Sequence, residues 1–202
     1  MRVPVDAEHA DWVERAQRGE VEAFRWLVEA YQVPVFNLCR RMLGDPTEAE
    51  DAAQETFLRA FRALQRYDRA RPFGTWLLAI ASHHCIDALR RRKRFRSSDE
   101  GPVAQWDIVD PGDGPEERLA RSQSGDEVEM LTRALAPQER AVIVLRYWYD
   151  LSYEEIAAAL SLSQSAVKSR LHRARRALAR RWLEARGGAF DVRGVQNEPS
   201  AV

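Results

Sequence analysis

The 202-residue sequence predicts an all-α protein. The expected architecture is two small helical domains joined by a flexible acidic linker, the C-terminal one containing a helix-turn-helix. Three observations lead there. Apolar residues recur at helical spacing through both halves, and no stretch alternates convincingly at period two. Proline and glycine are scarce inside the halves and dense between them: "DEGPVAQWDIVDPGDGPEE" holds three of each among many acids. Charge is also sorted into blocks. Lysine plus arginine equals aspartate plus glutamate at 31 each, so the net charge is zero. Yet "RRRKRFR" (Arg90 to Arg96) has six basic residues in seven, and Ser97 to Met130 has ten acids against two arginines, a net of −8. Blocks of opposite sign imply more than one partner surface. The expected boundaries are residues 10–96, a linker at 97–125, residues 126–186, and a loose tail at 187–202.

Composition excludes several classes. Cys39 and Cys85 are two isolated thiols in a long chain, which favours a reducing compartment over a disulfide framework. No apolar run approaches the roughly 20 residues that cross a bilayer. "MRVPVDAEHADW" lacks the apolar core of a signal peptide. The expected location is cytoplasmic, without membrane insertion. No nucleophile–base pair, glycine-rich phosphate loop or paired-carboxylate motif stands out, so no enzyme and no cofactor are expected. "SHHC" suggests a metal at first sight. Consecutive helical residues point about 100° apart, so His83, His84 and Cys85 do not converge on one ion.

In the first half, "VEAFRWLVEAYQVPVFNLCRRML" is amphipathic, with Pro34 expected to kink or break the helix. Gly44 is its expected stop. Thr47, with Glu50 three residues on, is the expected N-cap of the next helix. On that helix Ala53, Phe57, Ala60, Phe61 and Leu64 share one side and are expected to face the core. Asp51, Glu55, Leu58 and Arg62 share another. A leucine among charges there is either a docking contact or an ordinary exposed apolar residue. A long helix then starts near Gly74 or Thr75 and runs to Arg94. Apolar residues surround it nearly all round as far as Ile86. One strip differs: Trp76, Ile80, His83, Asp87 and Arg90, followed by Arg91, Arg92, Lys93 and Arg94. Cations meet phosphates and aromatic faces stack on unpaired bases, so the strip suits single-stranded nucleic acid. A core tryptophan, a surface pair and a basic helix end explain it equally well.

In the second half, "LSYEEIAAALSLSQSAVKSRLHRARRAL" carries a denser signal. Ser152 and Glu155 form a capping box before "IAAAL". Ile156, Ala157 and Leu160 give that helix an inner face. "SLS" (Ser161 to Ser163) is a tight turn, with Ser161 where glycine is frequent, and Ser163 caps the next helix. Val167, Leu171, Ala174 and Leu178 form the second inner face. Ser165, Ser169, His172, Arg173 and Arg176 turn outward, flanked by Lys168 and Arg170. Cap, turn, small crossing residue and basic outer face agree on a DNA-binding helix-turn-helix. Hydroxyl, imidazole and guanidinium groups bond base edges, and the cations clamp phosphates.

These segments resemble the extracytoplasmic-function (ECF) group of bacterial sigma factors. "EAFRWLVEAYQVPVFNLCRRMLGDPTEAEDAAQETFLRAFRAL" looks like the first part of that group's N-terminal domain. "FGTWLLAIASHHCIDALRRRKR" looks like its promoter-melting helix. "LAPQERAVIVLRYWYDLSYEEIAAALSLSQSAVKSRLHRARRAL" looks like its C-terminal domain. The resemblance implies a dissociable specificity subunit of RNA polymerase that binds promoter DNA. It places Asp51, Gln54, Glu55 and Leu58 on the clamp helices of the polymerase's largest subunit. It places the strip from Trp76 to Arg94 on the melted minus-ten element, with His83 where asparagine is common. It sets the outward face of the last helix in the major groove at the minus-thirty-five element. It also implies an anti-sigma factor as partner. The acidic linker then either lines the polymerase's positive interior or is a plain spacer. Without the resemblance, the competing reading is an autonomous regulator that binds duplex DNA by itself.

Overall fold

A computed structural model describes residues 7–99 and 130–185. The linker beyond Asp99 and the tail expected at 187–202 lie outside the described residues. Within them the protein is built of helices. Helix α1 (Ala7–Gln17) was not anticipated from the sequence. It is followed by α2 (Val21–Leu43), α3 (Pro46–Ala63) with a 3-10 turn at Leu64–Arg66, and α4 (Phe73–Asp99). The second segment holds α5 (Pro137–Tyr147), α6 (Tyr153–Leu160) and α7 (Gln164–Ala185).

Pro34 does not break α2, which is continuous from Val21 to Leu43. Proline removes one helical N–H and crowds the carbonyl four residues back. The cost is offset by burial, because Pro34 and its neighbours Tyr31, Val35 and Leu38 lie in the core. Gly44 ends the helix in the left-handed region at φ 87°, its N–H donating to the Arg40 carbonyl. Only glycine fits well here: a Cβ would also stand 2.9 Å from the Arg133 guanidinium.

The cap of α3 is Asp45, not Thr47. The Asp45 side chain accepts from the Glu48 N–H at 2.8 Å, and Pro46 takes the first helical position, where its missing N–H costs nothing. Of the expected core face, Ala53, Ala60 and Leu64 are buried and Phe57 packs half-buried against the core, but Phe61 does not join them. Ala49, Ala52, Ala53, Thr56 and Ala60 are buried, while Phe61 is 52% exposed. Small residues allow α3 to approach α2 and α4 closely, and that contact outweighs burying one phenyl ring. Phe61 instead packs edge-on against Phe24, ring centres 5.0 Å apart.

The two segments pack against each other. Buried residues from both form one hydrophobic cluster, and α5 and α6 lie on α4 while α5 also meets α2. Arginines from the second segment close the C-terminal end of α2. Arg140, 6% exposed, donates to the Met42 and Arg133 carbonyls, and Arg133 donates to the Gly44 carbonyl at 3.1 Å. Cations at a helix C-terminus satisfy its free carbonyls and suit its dipole. Burial, with Arg133 and Arg92 nearby, lowers the Arg140 pKa to about 10. Arg41 covers the Trp148 ring at 5.0 Å, and the buried Tyr149 hydroxyl donates to the Pro34 carbonyl at 2.5 Å.

Candidate nucleic-acid and polymerase interface

The helix-turn-helix forms as its sequence dictates. The Ser152 N–H donates to Glu155 Oε2 at 2.7 Å, and the Glu155 N–H donates to Ser152 Oγ at 3.1 Å. Ser161 adopts the left-handed region (φ 54°, ψ 47°) that glycine usually fills, and the Leu162 N–H closes the turn on the Ala157 carbonyl at 2.9 Å. Ser163 Oγ accepts from the Ala166 N–H at 3.2 Å and so caps α7. Ile156, Ala157 and Leu160 bury against Val167, Leu171 and Ala174. Gln164 donates to Glu154 at 3.0 Å, a further tie between the two helices.

This packing leaves Ser165, Lys168, Ser169, His172, Arg173 and Arg176 exposed on one side of α7. Arg170 differs from them. It is half-buried, donating to Gln138 at 3.1 Å, and so braces α7 against α5. Arg173 is held at 3.0 Å by Glu139. That contact orients the guanidinium, and exposed pairs of this kind exchange readily for a phosphate or base edge. The Lys168 ammonium stands 5.9 Å from the Tyr153 ring centre.

On α4 the strip divides by depth. Trp76 and Ile80 are half-buried, while His83, Asp87 and the cations from Arg90 to Arg94 are exposed. Trp76 leans on Tyr67 (ring centres 4.7 Å) and Phe73 (5.5 Å), a small aromatic wall that also includes Tyr31. The role of Tyr67 in that wall escapes the sequence reading. Its signal was the aromatic spacing in "RYDRARPFGTW", which sets three rings beside one helix start. His83 Nδ1 lies 3.0 Å from the Ala79 carbonyl. A carbonyl only accepts, so Nδ1 donates there and Nε2 is left as the ring nitrogen free to meet a base. Asp87 pairs weakly with Arg90 at 3.7 Å, and Arg92 with Glu48 at 3.7 Å.

On α3, Asp51, Gln54 and Leu58 are exposed, Leu58 at 52%. Glu55 is half-buried and receives Arg59 Nε at 2.7 Å, which holds its carboxyl below the ordinary range. Phe61, three residues beyond Leu58, lengthens the apolar part of this face. Helices α3 and α4 are also joined electrostatically. His84 of α4 is half-buried near Glu55 and Arg59, and burial followed by the Arg59 charge lowers its pKa. Among the described residues, no three His, Cys, Asp or Glu side chains are grouped to hold an ion, and no helix is long and apolar enough to cross a membrane.

Comparison with known proteins agrees with this layout. Residues 27–95 match the family model described as Sigma-70 region 2, and residues 125–178 match Sigma-70, region 4. The chain is 36% identical over 172 residues to the ECF RNA polymerase sigma factor SigW of Bacillus subtilis, covering 82% of this chain and 92% of that one. It is 36% identical to the RNA polymerase sigma-H factor of Pseudomonas aeruginosa, covering 82% and 89%. Among solved structures, CnrH in complex with the cytosolic domain of CnrY superposes with a TM-score of 0.62 at 29% identity, covering 88% of this chain and 98% of that one. The sigma factor RpoE with the anti-sigma factor NepR from Bartonella quintana shares the fold, with a TM-score of 0.62 at 21% identity over 79% and 96% of the two chains.

Proposed function

The chain belongs to the extracytoplasmic-function group of bacterial sigma factors, and from that premise we propose how its faces divide the work of promoter-specific transcription initiation. Asp51, Gln54, Glu55 and Leu58 dock on the clamp helices of the largest subunit of core RNA polymerase, in the cytoplasm. The outward face of α7 enters the major groove at the minus-thirty-five element. Trp76, Ile80, His83 and Asp87 receive unpaired minus-ten bases, and Arg90 to Arg94 hold the phosphates. The chain makes and breaks no bond. It favours the open promoter because extruded bases fit its strip and a duplex does not. Unstacking costs on the order of a few kcal/mol per step, which those contacts offset.

One observation carries this reading. Two exposed basic helix faces, on α4 and α7, belong to segments that match two different sigma regions in the expected order. CnrH was solved with the cytosolic domain of CnrY and RpoE with the anti-sigma factor NepR, which supports an anti-sigma factor for this chain too.

The packed arrangement is not the promoter-bound one. Centres of the two promoter elements lie 25 base pairs apart by name, about 85 Å at 3.4 Å per pair. Helix α4 is about 40 Å long and α7 about 33 Å at 1.5 Å per residue, and α6 touches both. Their DNA faces are therefore closer together than the elements they read. The second segment must leave α2 and α4 before both are engaged at once, and core polymerase supplies the surface that holds them apart.

The test combines the purified chain with core polymerase on a promoter library, with and without the chain. New starts that depend on the chain are expected, together with co-purification of chain and polymerase. Identical starts without it reject the proposal. So does tight binding of duplex DNA by the chain alone without any association with polymerase.

A further inference from the structure

Helix α1 lies ahead of the first family match, which begins at residue 27. Against α2 it forms an open pocket of about 350 Å³, lined by Trp12, Trp26, Glu29 and Ala30. Both indoles are half-buried, and Glu29 is exposed. The two rings stand 5.8 Å apart at 52°, so they make a wedge rather than a stack. The wedge is fixed from behind. His9, 8% exposed, packs on Trp12 at 4.9 Å, and its Nδ1 lies 3.1 Å from the Tyr31 hydroxyl. Along α2, Trp26, Ala30 and Val33 recur at spacings of four and three and so share one side. Val33 is 58% exposed and carries the apolar floor past the pocket.

Electrostatics decide what fits there. Residues 7–33 hold six acids and three arginines. All three arginines are paired within that stretch: Arg15 with Asp11 and Glu20, Arg18 with Glu14, and Arg25 with Glu22 and Glu29. Arg69 adds a fourth cation at Glu14, 2.7 Å away. The surroundings stay negative, which repels phosphates and attracts a cation. Arg25 meets only Oε1 of Glu29, at 3.2 Å, which leaves Oε2 as an acceptor among the described residues. Indole faces attract cations more strongly than other aromatic faces do. The molecule already displays that preference, since the Arg15 guanidinium lies 4.9 Å from the Trp26 ring centre. A guanidinium stacks flat on an indole while its N–H groups reach a carboxylate, which an ammonium does less well.

We propose that the Trp12–Trp26–Glu29 pocket receives an arginine side chain from a protein partner. The indoles bear the guanidinium plane, Glu29 accepts from its N–H groups, and Val33 meets an apolar neighbour in the partner. The pocket opens away from α3. Phe24 packs on Phe61 of α3, and Trp26, two residues on, points about 200° round the helix from it. Resting on the assignment of α3 to polymerase, a partner seated here leaves that docking face free. It joins the assembled polymerase and does not displace it.

The experiment uses the full chain with isotope-labelled nitrogen, and NMR follows its indole N–H signals. Trp12→Phe and Trp26→Phe assign the two that matter. The probes are a short capped glycine–serine peptide bearing one arginine, the same peptide with glutamine in its place, and a short thymidine oligonucleotide. The arginine peptide should shift both signals to saturation, and the glutamine peptide should bind about tenfold more weakly. Glu29→Gln, at an exposed position, should weaken the arginine peptide about fivefold and leave the backbone amide signals in place. With core polymerase, Glu29→Gln should start from the same promoters as wild type. Equal binding of the arginine and glutamine peptides overturns the proposal, and so does the absence of any saturable shift. Stronger shifts with the oligonucleotide would assign the pocket to a nucleobase and overturn it too. Promoter starts lost in Glu29→Gln would overturn the separation from polymerase docking. If Glu55→Arg leaves polymerase assembly intact, the reading of α3 fails while the arginine pocket, measured on the chain alone, stands.

Discussion

Removing one oxygen from Tyr149 should loosen the contact between the two segments by a calculable amount. Tyr149 is 2% exposed, and burial raises its pKa, so the hydroxyl stays a donor through the physiological range. Its acceptor, the Pro34 carbonyl, belongs to α2 in the other segment. Tyr149→Phe keeps the ring and its packing and deletes only that hydrogen bond, worth about 1 kcal/mol net. One kcal/mol is roughly a fivefold change in an equilibrium constant. Tyr149→Ala also empties the space of a buried ring, and such truncations cost about 3–5 kcal/mol. The assay is amide hydrogen exchange under conditions where exchange reports the opening equilibrium. Interface amides in α2 around Pro34 and in α5 should exchange about fivefold faster in the Phe variant, and over a hundredfold faster in the Ala variant. Amides on α1, which packs mainly on α2 rather than on the second segment, should change least. Unchanged interface rates in both variants, or a uniform acceleration over the whole chain, would refute the reasoning, because either means that the contact does not separate as a unit.

Glu55→Arg and Leu58→Glu should each weaken binding to core polymerase about tenfold or more, as central interface residues do at about 1–3 kcal/mol. A competition binding assay against labelled wild type checks this, and helicity should be retained because Leu58 is exposed and Glu55 lies outside the buried face of α3. Ser161→Gly should stabilise the protein by roughly 0.5–1 kcal/mol. The left-handed backbone costs a non-glycine residue about 1–2 kcal/mol, and glycine's larger unfolded-state entropy returns about 0.4–1 kcal/mol of that. Calorimetry should show the melting temperature rising for Gly and falling for Val, whose β-branch crowds this conformation. His84 predicts a pH dependence. Its folded pKa lies below the ordinary histidine value of about 6.5, so the folded state holds the ring neutral where the unfolded chain protonates it. Stability is full above pH 6.5 and falls as pH drops through that value toward the folded pKa. Urea midpoints at pH 7.5 and 5.5 should differ less for His84→Gln than for wild type.

The helix-turn-helix was legible residue by residue. Its signals are local: a Ser152–Glu155 box, a three-residue turn, a cap at Ser163, and apolar positions three and four apart. Each depends on neighbours within one or two turns, which the sequence lists directly. The outward placement of Ser165, Ser169, His172 and Arg173 follows from the same periodicity. Asp51, Gln54 and Leu58 were legible as exposed for that reason too. Arg170 was not, because its partner Gln138 is 32 residues away.

What escaped the sequence involves competition between distant partners. Phe61 and the alanines of α3 both propose a core face, and hydrophobicity alone favours the ring. The close approach of α2 and α4 chooses the alanines, since only small side chains permit it. Thr47 was the expected cap of α3, but Asp45 followed by Pro46 takes that place. Pro34 reads as a breaker until the surrounding core is present to bury it in a continuous α2. Arg140 is buried because two carbonyls 98 and 7 residues away need donors, partners that no local signal reveals. By itself the sequence determined helix type, the turn chemistry and which residues face outward on α7. Only the tertiary structure decided how the segments lean on each other, because burying a polar group or turning a helix face is settled by partners far along the chain.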